Sequence, residues 1–138
     1  MPTSADLLLD TSAAVALLAA DHAAHAVMRE ACAGLVLGLA GHALVETYSV
    51  LTRLPRPDRV SAAEAARAIT TEFPRSVALP ETLALSAVAD LAAAGIAGGS
   101  VYDGLVGLAA GHAGIPLMTR DRRALGTYAA LGVDVRLV

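Results

Sequence analysis

The sequence predicts an α/β protein in which short strands alternate with helices and build a mainly parallel sheet covered on both faces. Three observations carry this. Leu7, Leu8 and Leu9 form a continuous apolar run that ends at Asp10, Thr11 and Ser12, small polar residues suited to start a helix. Comparable apolar runs recur at 35–40, 115–119 and 133–138. Helical stretches separate them, and such alternation favours crossovers between parallel strands.

The elements follow in order. After the first strand, Ala13 to Ala20 reads as a helix, and His22 to Cys32 as a second. Leu35 to Ala40 is apolar and short, a strand or a buried turn of helix. Gly41 precedes a helix from His42 to Arg53, with Leu44, Val45, Tyr48 and Leu51 on one face and His42, Glu46, Ser49 and Arg53 on the other. Pro55 and Pro57 break the chain. Ser61 and Glu64 fit a capping box that opens a helix toward Glu72. Val77 to Leu79 reads as a short strand. Pro80 suits the first turn of the next helix, which ends near Gly95. Gly98 and Gly99 make a turn before a helix from Ser100 to about His112. Ile115 to Thr119 is a strand, Asp121 to Leu131 a helix, and Val133 to Val138 the last strand.

Composition bounds the rest. The chain has 138 residues, room for a single domain over residues 1–138 that buries about two-thirds of its unfolded surface. Hydrophobic residues make up 56% and charged ones 17%, which excludes a disordered chain. The net charge of -3 excludes a generally basic nucleic-acid binder, but not an enzyme whose acidic site is neutralised by metal. All ten basic residues are arginine, so no mechanism can use a lysine. Cys32 is the only cysteine, which rules out an intramolecular disulfide; it reads as a small core residue. Mean hydropathy is +0.60, yet Asp21 and the glycines at 34, 38 and 41 interrupt the apolar runs before the roughly 20 residues a membrane span needs. These readings point to a soluble cytoplasmic protein.

In open parallel sheets, sites form beyond the carboxyl ends of the strands. Four acids are candidates there. Asp10 ends the first strand, Glu46 lies on the helix after the second, Asp103 lies in the first turn of a helix after a glycine turn, and Asp121 follows the strand ending at Thr119. Taken singly, each has a structural alternative. Asp10 and Asp121 fit helix caps, Asp103 fits a capping box with Ser100, and Glu46 fits a solvated helix face. Taken jointly, four converging carboxylates repel, and a divalent cation with a taste for hard oxygen ligands would relieve them. The H-x-x-H pair His22 and His25 has no companion ligand motif, and Gly98-Gly99 lacks the spacing of a phosphate loop.

The stretch Leu7 to Ala13, Glu46 on the helix after the second strand, Val101-Tyr102-Asp103-Gly104, and Leu117 to Asp121 resemble the PIN domain. Size and element order are most similar to the VapC-type toxins of bacterial toxin–antitoxin pairs. The resemblance covers essentially the whole chain. It implies a three-layer α/β/α sandwich around a mainly parallel sheet of four to five strands. It implies an endoribonuclease that uses Mg²⁺ or Mn²⁺, with Asp10, Glu46, Asp103 and Asp121 as the acidic quartet and Thr11, Ser12 and Thr119 as supporting polar residues. It implies a homodimer and an antitoxin lying across the active-site groove. Gly104 departs from the family, which often has alanine there. An acidic site also needs a basic grip on phosphate. Arg120, Arg122 and Arg123 flank Asp121 and are the best candidates; Arg53, Arg56 and Arg59 form a second cluster.

Two other classes compete. HAD phosphatases and receiver domains also end a first strand in Asp. The former usually carry a second Asp two residues on, where this chain has Ser12, and the latter use a lysine. A non-catalytic module with the same fold is the other, against which the presence of all four acids argues.

Overall fold

The computed structural model describes residues 4–138. Four parallel strands form its sheet: β1 (Leu7–Leu9), β2 (Leu37–Leu39), β3 (Leu117–Thr119) and β4 (Val135–Leu137), in the order β2-β1-β3-β4. β1, β2 and β3 are buried throughout, as continuous apolar runs in a parallel sheet should be. β4 is the exposed edge.

Among the described residues seven helices complete a three-layer α/β/α sandwich: α1 (Thr11–Leu18), α2 (His25–Cys32), α3 (Ala43–Thr52), α4 (Ala62–Glu72), α5 (Glu81–Ala93), α6 (Ser100–Ala113) and α7 (Leu125–Ala130). They pack in two groups. α1 contacts α2 and α3, and α3 contacts α4; α6 contacts α5 and α7. The main core joins Leu8, Leu9, Leu39 and Leu117 of the sheet to Leu17, Met28, Leu51 and Tyr128 of the helices. A smaller cluster of Ala87, Leu91 and Ile96 sits under α6. Gly104 belongs to this packing, because a Cβ there would meet Leu91 Cδ2 at 2.5 Å.

Sequence expectation and structure differ at several points, among them that the second helix begins at His25 and not at His22. The strand expected at Val77 to Leu79 is reduced to an isolated parallel bridge between Val77 and Ala40. The segment still closes the outer edge of β2: Arg75 N–H donates to the Leu37 carbonyl, Val77 N–H to the Leu39 carbonyl, and Leu39 N–H to Ser76 Oγ. Pro74 and Pro80 bracket the segment and keep it from growing into a full strand. Gly38 permits this close approach, since the Arg75 carbonyl occupies the space of a Cβ.

The buried face of α3 is Ala43, Thr47 and Leu51, at i, i+4 and i+8. Val45 and Tyr48, expected on that face, are 64% and 39% exposed. Leu51 and Leu44 of the expected face do pack on the core, but the small residues Ala43 and Thr47 complete the buried seam in place of Val45 and Tyr48. The last helix is also delayed. Asp121 caps a 3₁₀ turn over Arg122–Ala124, and α7 begins at Leu125.

Candidate active site

The strand order reverses between β1 and β3, because the chain leaves β1 toward β2 on one side and reaches β3 on the other. Such switch points open a crevice at the carboxyl ends of the strands. Here the crevice is a cavity of ≈ 520 Å³ lined by Asp10, Thr11, Ser12, Val15, His22, Glu46, Val50, Asp103, Arg120, Asp121 and Arg123. All four candidate carboxylates border it.

Asp10 is 3% exposed and held by three donors. Its Oδ1 accepts from Ser12 Oγ at 2.6 Å and from the Ala13 N–H at 3.1 Å. Its Oδ2 accepts from Tyr128 Oη at 2.8 Å. The Asp is thus the N-cap of α1 and a cavity-lining acid at once. Asp121 repeats the arrangement. It caps the 3₁₀ turn, its Oδ1 accepting from the Arg123 N–H at 2.9 Å and from Arg123 Nε at 3.3 Å. Glu46 stands 3.7 Å from His42 Nε2, one turn back along α3.

Asp103 differs. α6 starts from Gly99 without a side-chain cap, so the capping box with Ser100 does not form. Asp103 makes no hydrogen bond or ion pair among the described residues. Its carboxyl is pushed up to about 6, first by burial and then by the charges of Asp10, Asp121 and Glu46, against a small opposing effect of Arg123. Those three neighbours are the physical measure of convergence: each is near enough for its charge to be felt.

The small polar residues tie the two strand ends together. Ser12 Oγ lies 3.3 Å from Thr119 Oγ1 and accepts from the Arg120 N–H at 3.0 Å. Thr119 Oγ1 accepts from the Asp121 N–H at 3.0 Å. Thr11 Oγ1 is buried beside the cavity with no partner among the described residues. Of the three arginines, Arg120 and Arg123 line the cavity and Arg122 is exposed outside it. Arg53, Arg56 and Arg59 do not reach it. His22 lines it, but its Nδ1 accepts from the Ala24 N–H while His25 Nδ1 meets the Ala16 carbonyl, so the two rings serve separate local contacts. Cys32 is buried, and burial pushes its thiol up, away from nucleophile chemistry.

The donor set is the kind a Mg²⁺ or Mn²⁺ ion selects: hard carboxylate oxygens, excess negative charge and a spare hydroxyl. Among the described residues no three acidic, histidine or cysteine side chains already share one ligand-spaced point, so the acids ring the cavity with room between them.

Sequence reasoning missed Tyr128. Its position in α7 says nothing of a contact 118 residues away. The available signal was scarcity: the chain has three tyrosines and one phenylalanine, and a buried phenol needs a hydrogen-bond partner.

Comparison with known proteins places this geometry. The chain is 46% identical over 129 residues to ribonuclease VapC27 of Mycobacterium tuberculosis, covering 94% of each chain. It is 44% identical over 132 residues to ribonuclease VapC40 of the same species, covering 94% of this chain and 96% of that one. The solved structure of M. tuberculosis VapC20, described as a sarcin-ricin loop cleaving toxin, superposes with a TM-score of 0.68 at 25% identity, covering 94% of this chain and 98% of that one. The PIN domain pattern matches residues 7–130. With a parallel sheet whose switch point carries four acids and with relatives matched along nearly their whole length, the chain belongs to the PIN domain family and, within it, to the VapC type.

Proposed function

We propose that this protein is a divalent-metal-dependent endoribonuclease, the toxin of a toxin–antitoxin pair. The observation that carries the reading is that Asp10, Glu46, Asp103 and Asp121 line one cavity, where burial and then the charges of the other three push the Asp103 carboxyl up to about 6. Gathering like charges costs a fold stability, and acids perturbed in this way inside a cleft cluster at functional sites. The VapC ribonucleases it resembles give the substrate class.

Asp10 and Asp103 would hold the ion directly. A bound Mg²⁺ or Mn²⁺ supplies an acidified water and charge relief on the phosphoryl oxygens. Glu46, steadied by His42, and Asp121, steadied by Arg123, are positioned to hold and orient the attacking water or to complete a second ion site. Ser12 and Thr119 lock the two strand ends in register, and with them Asp10 and Asp121. Arg120 and Arg123 border the carboxylates and can take phosphate oxygens in the planar, two-pronged manner of guanidinium. Arg122, exposed beyond the cavity, would serve only an RNA strand running past its mouth.

Apolar side chains left in solvent support protein partners. Val45 and Tyr48 on α3, Leu85 and Val88 on α5, and Tyr102 on α6 are exposed. A second copy of the chain and a cognate antitoxin are the proposed occupants of this surface and of the groove. No helix among the described residues is long and apolar enough to cross a membrane. A cytoplasmic setting follows from an RNA substrate.

The test is cleavage of total cellular RNA by purified, antitoxin-free protein with Mg²⁺, with Mn²⁺ and with EDTA, beside Asp10→Asn. Discrete fragments that need metal and vanish in the variant are expected, and end-mapping then names the target. No cleavage together with no calorimetric Mn²⁺ binding would move the protein to a non-catalytic role.

A further inference from the structure

Asp10 is bound on both oxygens, and the two sides differ. Each carboxylate oxygen offers two acceptor positions. On Oδ1 both are taken, by Ser12 Oγ and by the Ala13 N–H. On Oδ2 the Tyr128 hydroxyl takes one at 2.8 Å. One position remains, and it is on Oδ2.

The phenol is firmly placed. Tyr128 is 0% exposed. Its ring lies against Gly107 of α6, where an added Cβ would meet Tyr128 Cδ1 at 3.3 Å and Leu131 Cδ1 at 2.9 Å. Gly107 is one helical turn past Asp103, so the residue that seats the ring belongs to the helix that carries another of the four acids.

We infer that Tyr128 is a positioning residue for metal binding: by donating to Oδ2 it fixes the Asp10 carboxylate so that a single free oxygen position faces the cavity and Asp10 engages a cation through Oδ2 alone. This rests on the nuclease reading above and adds a residue to it. The role differs from that of Ser12, which holds Oδ1 and belongs to the strand-end network. Without the hydroxyl, Oδ2 has two open positions and the carboxylate can rock about its Oδ1 anchor. Removing the partner that orients a metal-ligating group typically weakens metal binding or activity by about 10- to 100-fold.

The experiment compares the wild-type chain with Tyr128→Phe, which keeps the ring and its seat. Mn²⁺ affinity is measured by calorimetry, RNA cleavage by kcat and KM, and folding by circular dichroism. A fall in Mn²⁺ affinity of about tenfold or more, with kcat reduced and KM for RNA unchanged, is expected. A folded Tyr128→Phe protein with wild-type Mn²⁺ affinity and kcat would overturn the inference while leaving the nuclease intact. A wild type that neither binds Mn²⁺ nor cuts RNA would overturn the nuclease reading, and this inference with it. If Tyr128→Phe does not fold, Gly107→Ala decides: it keeps the hydroxyl but presses on the ring, and the same losses at smaller size are expected, with none refuting the role.

Discussion

Replacing Asp103 by Asn should stabilise the metal-free protein while abolishing its activity. Asp103 ionises in the folded chain against burial first and then against the charges of Asp10, Asp121 and Glu46, and its carboxyl stands at about 6 where the ordinary value is 3.8. Each pH unit between folded and unfolded values is about 1.4 kcal/mol, so the gap of about two corresponds to roughly 3 kcal/mol. The group is only partly buried and solvent screens part of this, which brings the figure to about 2 kcal/mol. The direction follows from proton binding. The folded state holds this proton more tightly than the unfolded state does. The stabilisation by protonation is therefore complete below 3.8 and is lost as pH rises to about 6; at neutral pH the ionised group weakens the fold. The amide of the Asp103→Asn variant carries no charge, so the penalty should vanish. For 138 residues about 2 kcal/mol is about 6 °C in Tm. The assay is thermal melting followed by circular dichroism in EDTA from about pH 3 to about pH 8, a range that spans both values. The wild type should lose stability between about pH 4 and 6 relative to Asp103→Asn, which should melt higher at neutral pH. Added Mg²⁺ should raise the wild type and leave the variant behind. Equal melting in EDTA at neutral pH, or equal slopes in the acid range, would refute the claim that burial and the neighbouring acids raise the Asp103 carboxyl.

Three further perturbations probe other parts of the reasoning. Gly38→Ala should destabilise the fold by at least about 2 kcal/mol, because the added methyl meets the Arg75 carbonyl and backbone cannot swing aside; denaturant unfolding checks it. Thr47→Val should raise stability by about 1 kcal/mol, because Thr47 Oγ1 is buried without a partner among the described residues; a lower melting temperature would show that the hydroxyl is satisfied after all. Arg120→Glu should weaken RNA binding and flatten its dependence on salt, whereas Arg122→Glu, outside the cavity, should do less; equal salt slopes for the two variants would refute the distinction.

The acids were legible because each sits at a landmark. Asp10 follows the first apolar run, Asp121 the third, and Asp103 a glycine turn, so a parallel sheet brings them to one edge before any contact is known. Contacts across the fold were not legible. Tyr128 meets Asp10 only because Gly107 lets α7 approach α6, and no local pattern records that. The inner face of α3 was misread for a compositional reason. With 56% hydrophobic residues the periodic signal is diluted, and Ala43 and Thr47 carry the buried seam while Val45 faces out. The segment after Pro74 looked like a strand because it pairs like one, through Arg75, Ser76 and Val77, without the length to form a ladder.

The alternatives weighed for the four acids turn out not to exclude the site. Asp10 and Asp121 do cap, and capping is how the fold accommodates them. An N-cap carboxylate receives backbone N–H donors and the favourable end of its turn, which offsets desolvation. Asp10, the most buried of the four, has the most donors, three in all. Glu46 and Asp121 each have a basic neighbour, His42 and Arg123. Asp103 alone has neither a donor nor an ion pair among the described residues, and burial, together with the charges of the other three, pushes its carboxyl up. Asp103 is thus the acid whose charge a cation would relieve, and the imbalance that weakens the fold would supply the drive for binding one.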